Sequence, residues 1–335
     1  ARTGQCYQRA DRAGATMVDD DQIARSKRIQ QRTGKTFHFA TRVLPERVRE
    51  PTYVLYAFFR VADEIVDGAE TAPPDEQRRE LDRLRDAALG REETDDAVLS
   101  AFAELCDEHG IADEDVETFI EAMRSDIDTE RYEAYEDLEA YMDGSASAVG
   151  RMMTAVMDPD DPDAALPHAT ALGDAFQLSN FLRDVREDIV ELDRVYLPQE
   201  TLREYGVTEA QLKRFEFGEN VEAAMRHELR RAESLYKQGV AGIKYLPEDC
   251  QFAVLLAAVL YAEHHALIRE RGFDTLSATP ELSTYRKLKL FVETRWAWFR
   301  CKDPETVFRR VSCVPYGDSE QNRSGAGHAD RVPAR

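Results

Sequence analysis

The chain has 335 residues, with 65 Asp and Glu against 44 Lys and Arg, a formal net charge of −21 and 43% hydrophobic residues. This acidic balance excludes a nucleic-acid binder, which needs a basic face toward phosphate, and the apolar content excludes an unfolded acidic tail. The longest apolar run, Phe252 to Ala262, is shorter than the roughly 20 residues that cross a bilayer, and no stretch near the start reads as a secretory signal, so a soluble, cytoplasmic protein is expected.

Residues 1–16 read as a disordered extension, because Met17 opens directly into the acidic start Val18-Asp19-Asp20-Asp21 and is a candidate initiator. Beyond it apolar positions recur with helical period, and no alternating run is long enough to propose a sheet. Pro and Gly cut this pattern into predicted helices over 21–32, 37–44, 51–67, 75–88, 95–107, 113–127, 134–156, 165–191, 219–243, 249–271 and 281–299. No repeat or interdomain linker interrupts the series, so 17–315 is predicted as one all-α domain, followed by a polar, disordered tail over 316–335. Only eight of the basic residues are Lys, and the acids are spread along the whole chain. Such a surface repels itself in dilute buffer and suits a salt-rich cytoplasm. Cys6, Cys106, Cys250, Cys301 and Cys313 show neither CxxC nor metal-ligand spacing, which predicts reduced thiols.

Two acidic stripes carry the chemistry. In the helix over 51–67 an apolar run ends in Asp63 and Asp67, four residues apart and therefore on one face, together with Tyr56 and Arg60. Gly68 stops the helix, so both carboxylates sit in its last turn, where the macrodipole disfavours anions and welcomes a cation. In the helix over 165–191, Gln177, Asn180, Asp184 and Asp188 are spaced 3, 4 and 4 apart and form one line, flanked by Leu178, Phe181 and Val185 on one side and by Arg183 and Glu187 on the other. A chain this acidic contains roughly a dozen i,i+4 acidic pairs by chance, and most are solvated surface. These two differ because each ends an apolar helix beside an arginine. Oxygen ligands of this kind suit Mg²⁺, which takes one or two carboxylates plus waters and substrate phosphates.

The stretches Gly34-Lys-Thr-Phe-His-Phe-Ala-Thr-Arg-Val-Leu-Pro45 and Tyr56-Ala-Phe-Phe-Arg-Val-Ala-Asp-Glu-Ile-Val-Asp67 resemble the opening of the phytoene/squalene synthase family. Gln177-Leu-Ser-Asn-Phe-Leu-Arg-Asp-Val-Arg-Glu-Asp188 followed by Arg194-Val-Tyr-Leu-Pro198 is similar to its second signature, in the family's order and at about its separation. The resemblance covers about Ser26 to Phe308; the Arg194–Pro198 ending and the halophile-like charge are most similar to the archaeal, phytoene-forming branch. It implies an all-α isoprenoid-synthase bundle around a central apolar cavity between two facing Asp-rich helices. It implies, too, head-to-head joining of two geranylgeranyl diphosphates through a cyclopropylcarbinyl diphosphate, the last cation being quenched by proton loss, with Mg²⁺ or Mn²⁺ and no NADPH. By motif position Asp63, Asp67, Asn180, Asp184 and Asp188 would ligate metal, Arg60, Arg183, Arg194, Gln177, Asn180 and Thr36 would bind diphosphate, and Tyr261 would face the cavity.

The segment Tyr141 to Gly150 falls where the family has a helix along the cavity, with Asp143 standing where relatives often carry Tyr. Thr33-Gly34 replaces a His-Ser of some relatives, the loop from Asp188 to Arg194 is one residue longer than usual, and His264 and His265 read as structural. Chain-elongating enzymes and terpene cyclases usually show Asp-Asp-x-x-Asp, whereas Ala62 and Glu64 flank Asp63 here. A squalene or dehydrosqualene synthase using farnesyl diphosphate is the alternative enzyme, the squalene-forming one with NADPH; a catalytically dead assembly factor would have lost aspartates, and all four are present. Because substrate and product are apolar, a monomer making transient contact with a membrane surface is expected.

Overall fold

Pro45 and Gly68 bracket the first long helix, α1 (Glu46–Asp67), whose buried positions Val48, Val54, Leu55, Phe58, Ala62 and Val66 recur at helical spacing. The computed structural model describes residues 39–68 and 72–316; the predicted extension, the helix over 21–32, Thr36 and nearly all of the predicted tail lie outside them. Pro73, and a side-chain cap from Asp96, start α2 (Pro74–Ala88) and α3 (Ala97–His109); α4 (Asp113–Ser125) follows. These four pack around Phe58, which stacks on Phe102 with ring centroids 3.8 Å apart.

The helix predicted over 134–156 is three elements: α5 (Tyr135–Met142), a π-helical turn over Asp143–Ser147, and α6 (Ala148–Met157). Two glycines let these elements meet. A Cβ on Gly144 would lie 2.4 Å from the Thr118 carbonyl oxygen of α4, and one on Gly173 would lie 2.7 Å from that of Ala146. The helix predicted over 165–191 divides into α7 (Pro162–Arg183) and α8 (Val185–Leu192) at Asp184, whose φ of −100° and ψ of 13° leave the helical range. Hydrogen bonds from Asp184 N to Asn180 O and from Asp188 N to Asp184 O, both 2.9 Å, carry the chain across this bend.

Beyond it come α9 (Gln199–Glu204), α10 (Glu209–Lys213), α11 (Glu219–Ala241), α12 (Glu248–Glu270), α13 (Thr284–Arg300) and α14 (Pro304–Val311). Elements as short as α9, α10 and α14 span too few turns for periodicity to reveal. Among the described residues the only β pairing is an isolated parallel bridge between Arg131 and Val195. α7 contributes Leu178, Phe181 and Leu182 to one core, around Phe58, and Leu172 and Ala175 to a second, around Tyr236, Leu255, Trp298 and Phe308. By length and composition α12 could cross a bilayer, yet two-thirds of its apolar stretch is buried inside the bundle, as in a core helix.

Candidate active site

The last turns of α1 and α7 face one another across a cavity of about 860 Å³. Tyr56, Arg60, Asp63 and Asp67 line it from α1, and Gln177, Asn180, Arg183, Asp184 and Asp188 from α7 and α8. Arg194 and Tyr261 complete the set expected from the sequence; Thr36 is the one member outside the described residues.

Three of the four aspartates are paired with arginine. Arg60 donates to Asp63 at 2.9 Å. Arg183 forks onto both oxygens of Asp184, its Nε at 2.6 Å. Arg194 reaches across from beyond α8 and forks onto Asp67 at 3.0 and 3.2 Å, donating also to the Asp126 carbonyl oxygen at 2.6 Å. Arg194 is fixed by its backbone surroundings. Asp193 ends α8 in the left-handed region, φ 51°, which Asp tolerates, and Lys213 holds its carboxylate at 2.7 Å. Val195 N then donates to Glu130 O at 3.1 Å and Gln199 N to Tyr132 O at 2.9 Å.

Asp188 has no cation within ion-pair distance among the described residues. Burial, helped by the nearby charge of Asp184, pushes its carboxyl up to about 8. Burial also raises Asp63, to about 6, against the pull of Arg60, and Asp126, to about 7, against Arg194 and the Tyr141 hydroxyl. Although burial works against its charge, Asp126, Tyr196 and Asp67 hold the Arg194 guanidinium above its ordinary range, so it stays protonated.

Asp126 and Tyr196 line the cavity and were not singled out from the sequence. Asp126 accepts from Tyr141 Oη at 3.0 Å, while its Oδ1 is buried without a hydrogen-bond partner, 3.7 Å from Arg194. Tyr141 itself lines the cavity, whereas Asp143 turns away into an ion pair with Arg151 at 2.8 Å, and Gly144 packs on α4. His264, read from the sequence as structural, also lines the cavity. Its Nδ1 sits 3.1 Å from the Tyr261 carbonyl, which can only accept, so the Nδ1 proton is assigned there and Nε2, 3.3 Å from Arg183, accepts. Burial and Arg183 lower its pKa to about 3, so the ring is neutral. His265 remains inside the core, bonded to Ser179 at 2.8 Å.

Part of the cavity wall is aromatic. Phe181 and Tyr196 stack at 3.8 Å, and Tyr141 lies within 6.3 Å of both ring centroids. A second, apolar pocket of about 240 Å³ between α6, α7 and α12 shares Ser145, Val149, Met153, Gln177, Asn180 and Tyr261 with the first. Tyr261 stacks on Phe176 at 4.5 Å where the two spaces meet. An acidic, arginine-rich chamber thus opens into a greasy channel.

Among the described residues no three acidic, His or Cys side chains converge on one point, so the chain offers no closed metal cage. The donor set nonetheless fits a hard cation. Carboxylate and amide oxygens on two helices, with burial raising the Asp63 and Asp188 carboxyls, suit an ion that keeps waters and shares phosphate oxygens.

The sequence profile of the family described as squalene/phytoene synthase matches residues 30–286. A phytoene synthase of Rhodobacter capsulatus is 36% identical over 264 residues, 77% of each chain. A 15-cis-phytoene synthase of Synechococcus elongatus is 32% identical over 278 residues, 78% of this chain and 88% of its own. A crystal structure of a dehydrosqualene synthase in complex with ligand has a TM-score of 0.75 at 27% identity, over 84% of this chain and 98% of that one.

Proposed function

The chain belongs to the squalene/phytoene synthase family, and we propose that it joins two geranylgeranyl diphosphates head to head to form phytoene. Its all-α architecture is the isoprenoid-synthase bundle expected from the motifs, and it is a prenyltransferase-type enzyme. One observation carries the reading: the two acidic stripes meet across a single cavity that continues into an apolar pocket.

The prenyl tail lies in the pocket walled by Val149, Met153, Leu172, Phe176 and Val254, with its diphosphate in the acidic chamber. Arg60, Arg183 and Arg194 already stand there and exchange a carboxylate for phosphate oxygens, which frees that carboxylate for a metal ion. Asp63 and Asp67 on one wall, and Asn180, Asp184 and Asp188 on the other, would hold Mg²⁺ or Mn²⁺, which when bound neutralises charge on the departing diphosphate. The allylic C–O bond breaks with its electron pair on the diphosphate, leaving a cation. The faces of Phe181, Tyr196 and Tyr141 stabilise that cation, and the apolar walls keep water from capturing it. The second substrate's double bond attacks it, and loss of a proton closes the ring to give the cyclopropylcarbinyl diphosphate; a second ionisation, rearrangement and loss of a second proton yield phytoene. No hydride is consumed. The acidic surface supports the further reading that the enzyme works at high salt.

The test is incubation with geranylgeranyl diphosphate and Mg²⁺, with and without NADPH, followed by extraction and chromatography. Phytoene is expected under both conditions. Squalene from farnesyl diphosphate, appearing only with NADPH, would overturn the assignment.

A further inference from the structure

We infer that α13 is a docking surface for an anionic lipid bilayer. Its inner face, Leu290, Thr294, Ala297 and Trp298, is buried in the bundle. The opposite face is apolar as well. Tyr285, Leu288, Val292, Trp296 and Phe299 are spaced 3, 4, 4 and 3 apart, which places them within an arc of roughly 80° along about 21 Å of helix. All five are more than half exposed, and they are five of the seven large hydrophobic side chains exposed among the described residues. A concentrated stripe of this kind is an interaction surface, unlike scattered single exposures.

Charge identifies the partner. α13 carries five basic residues, Arg286, Lys287, Lys289, Arg295 and Arg300, against one acid, Glu293, a formal +4 in a chain of −21. Lys289 and Arg300 border the stripe on one side and Arg295 on the other; neither Arg295 nor Arg300 makes an ion pair among the described residues. Arg300 lies over the Trp296 ring at 4.9 Å. An aromatic and aliphatic wedge rimmed by cations fits the headgroup layer of an anionic membrane, while the acidic remainder is repelled and sets one orientation. Two such helices placed face to face would oppose like charges, which disfavours a second copy. The position also suits the chemistry, and here the argument rests on the proposed function. Pro280 and Leu282, just before α13, and Lys287, in its first turn, line the large cavity, so a docked bilayer would lie along a helix whose first turn borders the chamber that takes a C20 substrate and forms a C40 product.

Both tryptophans of the chain, Trp296 and Trp298, are on α13, so Trp298→Phe leaves Trp296 as the sole reporter. With vesicles of phosphatidylcholine plus phosphatidylglycerol, its emission is expected to shift to the blue and to be quenched by brominated lipid. Partition should exceed that into pure phosphatidylcholine by about tenfold. Leu288→Ser/Trp296→Ser/Phe299→Ser should lose vesicle sedimentation by about tenfold while keeping turnover of detergent-dispersed substrate, which shows that it folds. Lys289→Glu/Arg295→Glu/Arg300→Glu should lose the preference for anionic vesicles. Unchanged emission, or equal partition of the serine variant, would overturn the docking surface. So would a wild-type dimer that the serine variant converts to monomer, or a Trp296 already shielded from iodide by residues 1–38 in the free chain. Loss of turnover in detergent with vesicle binding intact would count against the proposed function alone.

Discussion

Asp188 is the aspartate of the site that bears its burial without an arginine. Its folded-state pKa of about 8 lies above the ordinary carboxyl value of 3.8. Between those limits the folded protein therefore binds more protons than the unfolded chain, and this group's contribution to stability falls as pH rises. Asp188→Asn removes that slope. The variant should gain more thermal stability over wild type at pH 8 than at pH 5, while turnover falls by at least about a hundredfold because an oxygen that would hold the metal is gone. Asp63→Asn and Asp184→Asn should cost activity to the same degree; near-wild-type rates in either would remove them from the site. The four aspartates were legible because each pair's relation is local, four residues apart in sequence, a spacing that survives the bend at Asp184. Asp126 and Tyr196 were not, because what recruits them is Arg194, which meets Asp126 from 68 positions away and holds Asp67 across 127.

At the scale of elements, the site depends on two departures from regular helix. Asp184-Val185 contains neither Gly nor Pro to mark its bend, and in Asp143 to Ser147 Gly144 alone marks the place where the helix widens by a π turn. Both occur where a continuous apolar period predicted an unbroken rod, and π turns of this kind recur at functional sites. The π turn is held by the contact of Gly144 with α4, while its neighbours Ser145 and Val149 face both cavities. Gly144→Ala places a methyl group 2.4 Å from the Thr118 carbonyl oxygen and 2.5 Å from the Ala122 Cβ. It should cost about 1–3 kcal/mol in urea unfolding and reduce turnover by shifting those two residues. Unchanged stability would mean that the junction is looser than its geometry.

For the whole molecule, the helical series and the all-α class were readable from period and punctuation and the facing of the acidic stripes from the family resemblance, whereas the exposed second face of α13 emerges only once its buried face is known. The net charge of −21 makes a prediction at this scale. Repulsion among surface acids is relieved as ions screen it, so the unfolding temperature should climb with KCl toward molar concentration. A protein most stable in dilute buffer would contradict adaptation to salt.

The arginine–aspartate pairs across the cavity bear on how a substrate is captured under those conditions. At 1 M salt fields fade over ~3 Å, so an anion cannot be drawn in from afar. A chamber whose guanidinium groups already hold carboxylates at 3.2 Å or less has no need of distant attraction. Capture can then proceed as a change of partners at touching range. The molecule thereby divides its charge between an exterior that answers to the medium and an interior that answers only to its guest.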